Sequence, residues 1–547
     1  MSIKSFFEEQ MNKRYQKEVK QWYISAKEIR FQTNWLVNMS FGNAEGERDE
    51  KLYDSFIETR SIKDMMGGGF NYVLAPKGCG KSSLFKAYSE RFVSDDEIKD
   101  DNKTIIIPIS NMFAYENIDL GQEQVAKKWA IIWGVYILKE IFKTITADKY
   151  KFEFEEYIKK SNKYNELKEE FELYDLWDYI KKINIGLKFS IKGQEIAIAP
   201  TIGKKRPDKK IVLNEIFSEL QNYLETNNKK IYILIDRVDD FIAGESNESK
   251  RVFVQGLYYS IEEISNCSNI LPIMFLRTDL YYNLNIDSGI DKIQIRTIEL
   301  KWKQEELVYF IFKRLLGNNQ NVLERYLDLL NYYIYNLADE AFKKKGRIDL
   351  NKIVDQNTSL LAEVSKKFIC TFFPSTVKHL NSENMEEEID FFEWVYRHFE
   401  DYTGYINLRY LIVFFNKLLK LQYDTYEKNI GSKIPIECID LGNELYYPIF
   451  SDACINTAYH TVQKIAIMNV RSLLEKDEYR VCFDEIRQRL MQPQRNGSMN
   501  YGDIQYTKYD LSKAEYDSLL ETLCVLGYLK NSGKKYSIPI LYRYMFE

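Results

Sequence analysis

A short apolar run, Phe70–Leu74, leads directly into Ala75-Pro76-Lys77-Gly78-Cys79-Gly80-Lys81-Ser82-Ser83. The residues that follow, Leu84, Phe85, Ala87 and Tyr88, recur at helical spacing. A strand that turns into a helix through this pair of glycines constrains the fold more than any other feature of the chain. Gly78 and Gly80 let successive backbone N–H groups turn inward, which makes an anion nest at a helix N-terminus. Lys81 adds a point charge that can reach the outer phosphates, and the Ser82 hydroxyl is a ligand of the kind Mg²⁺ takes. Cys79 reads as a small residue tolerated in the loop. The strand before such a loop is buried, so the expected fold is α/β, with a parallel sheet.

The loop has Walker A spacing, with Ala75 where the first glycine usually stands. A second site follows the apolar run Ile231–Ile235, where the chain continues Asp236-Arg237-Val238-Asp239-Asp240. A carboxylate at the C-terminal end of a buried strand is placed to hold Mg²⁺, so Asp236 and Ser82 are the expected metal ligands. Asp239 and Asp240 are alternatives for the group that orients the attacking water. Thr104–Ile109, Ile270–Leu276 and Ile293–Leu300 read as further strands. Their unbroken apolar character fits a sheet covered on both faces.

The strand between the two Walker strands resembles the additional-strand class of P-loop ATPases. The pattern around Asp236 looks like its STAND/NACHT branch, close to AAA+ and origin-recognition-like ATPases. That resemblance implies several roles. Met274-Phe275-Leu276-Arg277-Thr278-Asp279 is similar to a sensor 1, so Arg277 would meet the γ-phosphate and Thr278 or Asp279 would position water. Arg237 stands where many such ATPases carry Glu, which keeps open a scaffold that binds ATP without turning it over. Lys301-Trp302 with the run to Leu316 looks like the first lid helix. Gly404–Leu411 resembles a sensor 2 segment that carries Arg409, and Arg251 is a candidate for an arginine finger in trans. The implied cofactors are ATP and Mg²⁺. The implied mode of action is a molecular switch working through a homo-oligomer or an effector partner. The layout is similar to bacterial ATPases of anti-phage defence loci; a DNA-handling ATPase of initiator or transposition-regulator type is the alternative.

The remaining regions divide by pattern. Residues 1–60 read as a helical segment and 61–300 as the ATPase core, with a helical and hairpin insertion at about 112–210. Within that insertion Ile185–Ala199 alternates about Lys192-Gly193. Residues 301–474 read as an almost wholly helical lid and 475–547 as winged-helix-like. In the last, Tyr516, Leu519, Leu520, Leu523 and Leu526 share a helical face, Gly527 caps it, and a hairpin turns about Ser532-Gly533. That helix also carries Glu515, Asp517 and Glu521, and residues 501–547 hold six basic and six acidic side chains. Docking of a partner therefore fits the helix better than base readout. The run Lys204-Lys205-Arg206 with Lys209 and Lys210 is a better phosphate-contacting surface, or else a solvated loop.

Composition enters as exclusion. The net charge of -5 argues against wholesale coating of nucleic acid. Seven scattered cysteines and three histidines, His379, His398 and His460, give neither a disulfide framework nor a zinc site. Apolar runs such as Ala130–Leu138 and Tyr410–Phe415 fall short of the roughly 20 residues of a membrane span. With no signal-peptide core in MSIKSFFEEQMNKR, a cytoplasmic protein is expected.

Overall fold

In the computed structural model, residues 39–59, 69–93, 96–110, 125–160, 210–241, 247–282, 290–316, 386–428 and 450–543 are described. Shorter pieces are described at 62, 65, 186–191, 194–198, 343–344, 347–348, 373–374, 376–380, 439–440 and 445–446. The expected helices of residues 1–38 and the basic cluster Lys204, Lys205, Arg206 and Lys209 lie outside these. The chain divides into two units, one formed by residues 60–300 and one by residues 1–59 together with 301–547.

The unit 60–300 is built on five parallel strands: β1 (Tyr72–Ala75), β2 (Thr104–Ile109), β3 (Lys230–Ile235), β4 (Ile270–Arg277) and β5 (Thr297–Glu299). Their spatial order is β2-β3-β4-β1-β5. Every residue of β1 is buried, and β3 is buried from Ile231 to Ile235. That pattern arises because helices cover both faces of a parallel sheet. β4 lies between the two strands that end in the phosphate loop and in Asp236. It pairs Met274 with Tyr72 on one side and Ile235 with Met274 on the other.

Two helices of this unit, α2 (Val125–Ile145) and α4 (Asn247–Ile264), meet closely. (The helix after the phosphate loop, Lys81–Ser89, is α1, and Leu213–Thr226 is α3.) The rings of Trp129 and Trp133 stand 5.0 and 5.2 Å from that of Phe253, edge to face. Gly256 permits the approach, since a Cβ there would lie 2.3 Å from the Trp129 Cβ and 2.9 Å from the Ala126 carbonyl oxygen. The apolar stretch Ala130–Leu138 is thus core, and no helix among the described residues is long and apolar enough to cross a membrane. The insertion hairpin forms, with Gly186–Ile191 antiparallel to Gln194–Ile198, and Lys210–Val212 adds parallel to the first strand.

The last strand of the sheet is shorter than its apolar run implies. Ile290–Ile295 is helical and only Thr297–Glu299 pairs with β1. Ile293 is buried from that helix, and the Thr297 hydroxyl donates to the Ile293 carbonyl at 2.6 Å, so the helix end satisfies its own backbone.

In the second unit, α5 (Gln304–Leu316) occupies the span expected for the first lid helix. Its Arg314 is buried, ion-paired with the buried Asp49, and donates to the Phe41 carbonyl at 2.8 Å. Asn416, on α7 (Leu408–Lys428), accepts from Phe41 N–H at 2.8 Å and donates to the Gly42 carbonyl at 2.9 Å. The segment 39–59 is thereby stitched to two helices of its own unit.

The region after Trp302 is not wholly helical. Strands β6 (Thr376–Leu380) and β7 (Glu386–Asp390) form an antiparallel hairpin just before α6 (Phe391–Phe399). Glu386-Glu387-Glu388 has helical propensity, yet pairing sets Val377 opposite Ile389, both buried, and Lys378 opposite Glu388. Burial of that alternate pair and the cross-strand charge pairing outweigh the propensity.

The C-terminal residues run α8 (Asp452–Ser472), α9 (Asp477–Leu490), β8 (Ser498–Asn500), α10 (Lys513–Val525), β9 (Lys530–Ser532) and β10 (Lys535–Ser537), with strand order β8-β10-β9. Ser512 and Glu515 close a capping box on α10, which buries Tyr516, Leu519, Leu520 and Leu523. Gln463 of α8 donates to the Ile540 carbonyl at 3.0 Å, and α6, α7, α8 and α10 contribute to one continuous core.

Candidate functional site

β1 delivers Ala75 to the C-terminal edge of the sheet, and the chain then reverses through Gly78 (φ +92°) and Gly80 (φ +104°) into Lys81, the first residue of α1. A side chain in that left-handed backbone costs about 1–2 kcal/mol, which is why glycine stands at both positions. The Lys81 ammonium folds back over the loop and donates to the carbonyls of Ala75 at 2.6 Å and Pro76 at 2.8 Å. Burial holds its pKa below the usual lysine value, and neighbouring Arg277 pushes the same way. Cys79, Asp236 and Asp239 pull against them. The loop therefore concentrates positive potential at a helix N-terminus of nine residues.

Asp236 follows the last residue of β3, and its N–H donates to the Ile109 carbonyl at 3.0 Å. Its side chain is buried, 4% exposed, and accepts hydrogen bonds from the Arg237 N–H and the Ser82 hydroxyl. Burial raises its pKa, Asp239 adds to the rise, and those two hydrogen bonds and Lys81 oppose it. Arg237 itself has φ +61°, a left-handed conformation that is strained for a side chain with a Cβ. This kink turns the chain into the short helix Val238–Phe241 and returns Asp239 toward the sheet edge. Arg237 extends toward the surface, its Nε 3.9 Å from the Asp240 carboxylate, which is 63% exposed.

Arg277 ends β4 directly opposite Ala75 in the strand register. Its Nε and Nη2 donate to the two Asp279 oxygens at 3.0 and 2.7 Å, and its Nη1 donates to Asp239 Oδ2 at 3.2 Å. Burial works against the guanidinium charge, but the two carboxylates outweigh it and raise the pKa. Thr278 is buried beside it. Three strand ends therefore bring Lys81, Ser82, Asp236, Asp239 and Arg277 to one edge. The strand carrying Arg277 lies between the two Walker strands.

The fold is the α/β sheet of a P-loop nucleotide-binding core, with one strand between the two Walker strands.

No known protein-family profile matches the chain, and no curated protein matches it in sequence. Solved structures that align with the chain include a Walker-type ATPase of Pyrococcus abyssi, at 11% identity and TM-score 0.32, covering 90% of this chain and 93% of that one. The ORC2 protein of Aeropyrum pernix, solved as ADPNP-ADP complexes, aligns at 12% identity and TM-score 0.35, covering 90% and 94%. Cdc6p of Pyrobaculum aerophilum aligns at 10% identity and TM-score 0.26, covering 88% of each chain. The fold assignment rests on the strand order and the loop of this chain itself.

The donor set fits Mg²⁺. Ser82 and Asp236 present hard oxygens within hydrogen-bonding contact of each other. Among the described residues no group of three or more His, Cys, Asp or Glu side chains could enclose an ion. A cation held by one or two side chains, with phosphate and water completing its shell, is the usual Mg²⁺ arrangement.

Two further expected residues have local partners of their own. Arg409 belongs to the other unit, where its Nε donates to the Ala44 carbonyl at 3.2 Å. Arg251, on α4, pairs with Glu248 one turn before it. The tie of Asp279 to Arg277 is a site feature that sequence reasoning missed. Its signal, an acid two residues past the arginine at a strand end, is visible only once the strand is known to stop there.

Proposed function

We propose that this chain binds ATP with Mg²⁺ and hydrolyses it. The observation that carries the proposal is the convergence of Lys81, the Ser82–Asp236 pair and Arg277 on the phosphate loop at the C-terminal edge of the sheet. In this reading the loop N–H groups and Lys81 hold the β- and γ-phosphates, while Ser82 and Asp236 hold the metal ion. When bound, that ion neutralises charge developing on the phosphate oxygens. Asp239, one-quarter exposed and electrostatically coupled to both Lys81 and Asp236, orients water; Asp240 is further into solvent. Arg277 contacts the terminal phosphate. A direct phosphate-release assay tests turnover: release that stops in Lys81→Ala supports the reading, and binding without release makes the protein an ATP-bound scaffold.

Hydrolysis in this class resets a conformational switch, and we propose that the chain acts in that way, through self-assembly or an effector partner. Sizing with ADP and with a non-hydrolysable ATP analogue tests it, since a switch requires different affinities for the two states. Arg409→Ala lowers turnover by about tenfold or more if Arg409 senses phosphate, and leaves turnover unchanged if its role ends at the Ala44 carbonyl. The resemblance to anti-phage ATPases sets the cellular test, phage plating on cells with and without the gene.

One observation favours a DNA-handling role as a second reading. The order of α9, β8, α10 and the β9–β10 hairpin is compatible with the winged-helix reading, and the hairpin exposes Lys530, Lys534 and Lys535 with no acid between them. Phosphate contact through the wing needs no basic recognition helix. Mobility shift at low salt tests it.

A further inference from the structure

The fork of Arg277 is shared unequally between its two acids. A guanidinium offers its N–H donors in a rigid plane, so fixing two of them fixes the direction of the rest. Asp279 takes Nε and Nη2 at 3.0 and 2.7 Å in a two-point contact from the same strand end. Asp239 takes Nη1 alone, at 3.2 Å, from the turn after β3. The first contact is the stronger and more local; the second is the one that can be exchanged. Both acids are partly shielded, with Asp239 26% and Asp279 23% exposed and Arg277 13% exposed, so water competes weakly for the guanidinium. Lys81 lies within electrostatic reach of both Arg277 and Asp239, which places the exchangeable contact beside the phosphate loop.

We propose that Nη1 of Arg277 is a hand passed between Asp239 and the terminal phosphate of a bound nucleoside triphosphate, with Asp279 as the positioning residue that aims it. The proposal rests on the nucleotide-site reading above. Without a terminal phosphate, Oδ2 of Asp239 accepts from Arg277 and part of its charge is compensated, which weakens the carboxylate as an acceptor for water. A terminal phosphate brings a stronger anion to Nη1, draws the hand away and strengthens Asp239 as an acceptor for water. A diphosphate lacks that group and leaves the contact closed. The acid that orients water is thereby strengthened by the same phosphate that is to be attacked, and no covalent bond is made or broken in the exchange.

The test compares affinities for ADP and for a non-hydrolysable ATP analogue, with Mg²⁺, on the full chain. Asp239→Asn removes the competitor for Nη1. Preference for the analogue over ADP should rise about tenfold to a hundredfold, the worth of one charge-assisted hydrogen bond. Asp279→Asn and Arg277→Ala should lower the preference by a similar factor while ADP affinity holds. Asp240→Asn makes the same change of charge without touching Arg277, and should shift both affinities together. The gain from Asp239→Asn should vanish in the Arg277→Ala background. A gain of equal size in that background, or equal tightening of ADP, overturns the exchange and leaves only general electrostatics. Should Asp279→Asn fail to fold, the Asp239–Arg277 cycle decides alone. Unweakened analogue binding in Lys81→Ala defeats the nucleotide-site reading itself, whereas normal binding with a flat preference across the set defeats only this inference.

Discussion

Replacing Ser82 by Ala removes one hydroxyl beside the buried Asp236, and its effect can be worked out in two stages. In the nucleotide-free protein the hydroxyl donates to Asp236, whose carboxylate is 4% exposed and accepts otherwise from the Arg237 N–H. A hydrogen bond to a charged group contributes about 1.5–3 kcal/mol, and so little exposure leaves water a poor substitute, so a loss of about 2 kcal/mol is expected. The pH dependence has a definite sign. The folded pKa of Asp236 is raised, chiefly by burial, so its charged form opposes folding. The stability tied to this group is present below the unfolded value and lost as pH rises through the folded one. Losing the Ser82 hydrogen bond raises the folded value further. The deficit of Ser82→Ala is therefore largest at neutral pH and shrinks as pH falls toward about 4. Hydrogen exchange of the β1 and β3 amides reads this locally, without requiring the two units to unfold together. In the second stage Mg²⁺ loses a ligand, so the enhancement of ATP affinity by Mg²⁺ should fall about tenfold or more, and Ser82→Thr should restore both properties. Unchanged exchange at neutral pH together with unchanged Mg²⁺ enhancement would refute the pairing of Ser82 with Asp236.

Other outcomes follow from particular contacts. Gly256→Ala drives a Cβ into the backbone of α2, so the unit 60–300 should lose about 1–3 kcal/mol in urea unfolding. Asp239→Asn should cost about a hundredfold or more in phosphate release and Asp240→Asn no more than about threefold; the reverse ranking moves the water-orienting role to Asp240. If the wing touches DNA, replacing Lys530, Lys534 and Lys535 by Ser should weaken binding uniformly across sequences. The salt dependence would then flatten by about 0.9 per lost phosphate contact, measured by fluorescence anisotropy.

Much of the core was legible because buried parallel strands are written as unbroken apolar runs. Thr104–Ile109 matches its run exactly, and the strands ending at Ala75, Ile235 and Arg277 differ by a residue or two. The loop was legible because its chemistry is local. Where the sequence misled, the deciding contacts lie elsewhere in the chain. Ile293 is apolar whether it enters the core from a strand or a helix, so its run could not separate the two. The acids at 386–388 acquire strand character only through their partners at 378–380. Neither the choice between Asp239 and Asp240 nor the pairing of Arg277 could be read from spacing. The first depends on the left-handed kink at Arg237 and the second on a contact between residues 38 apart.

The central claim is that the loop from Ala75 to Ser83 holds the phosphates of ATP. Calorimetric titration of ATP into the wild-type chain and Lys81→Ala, each with and without Mg²⁺, tests it most directly. One Mg²⁺-dependent site is expected in the wild type, with a loss of about a hundredfold or more in the variant, because the Lys81 ammonium turns in over the loop. Equal affinity in the two proteins, or no binding by the wild type, would contradict it.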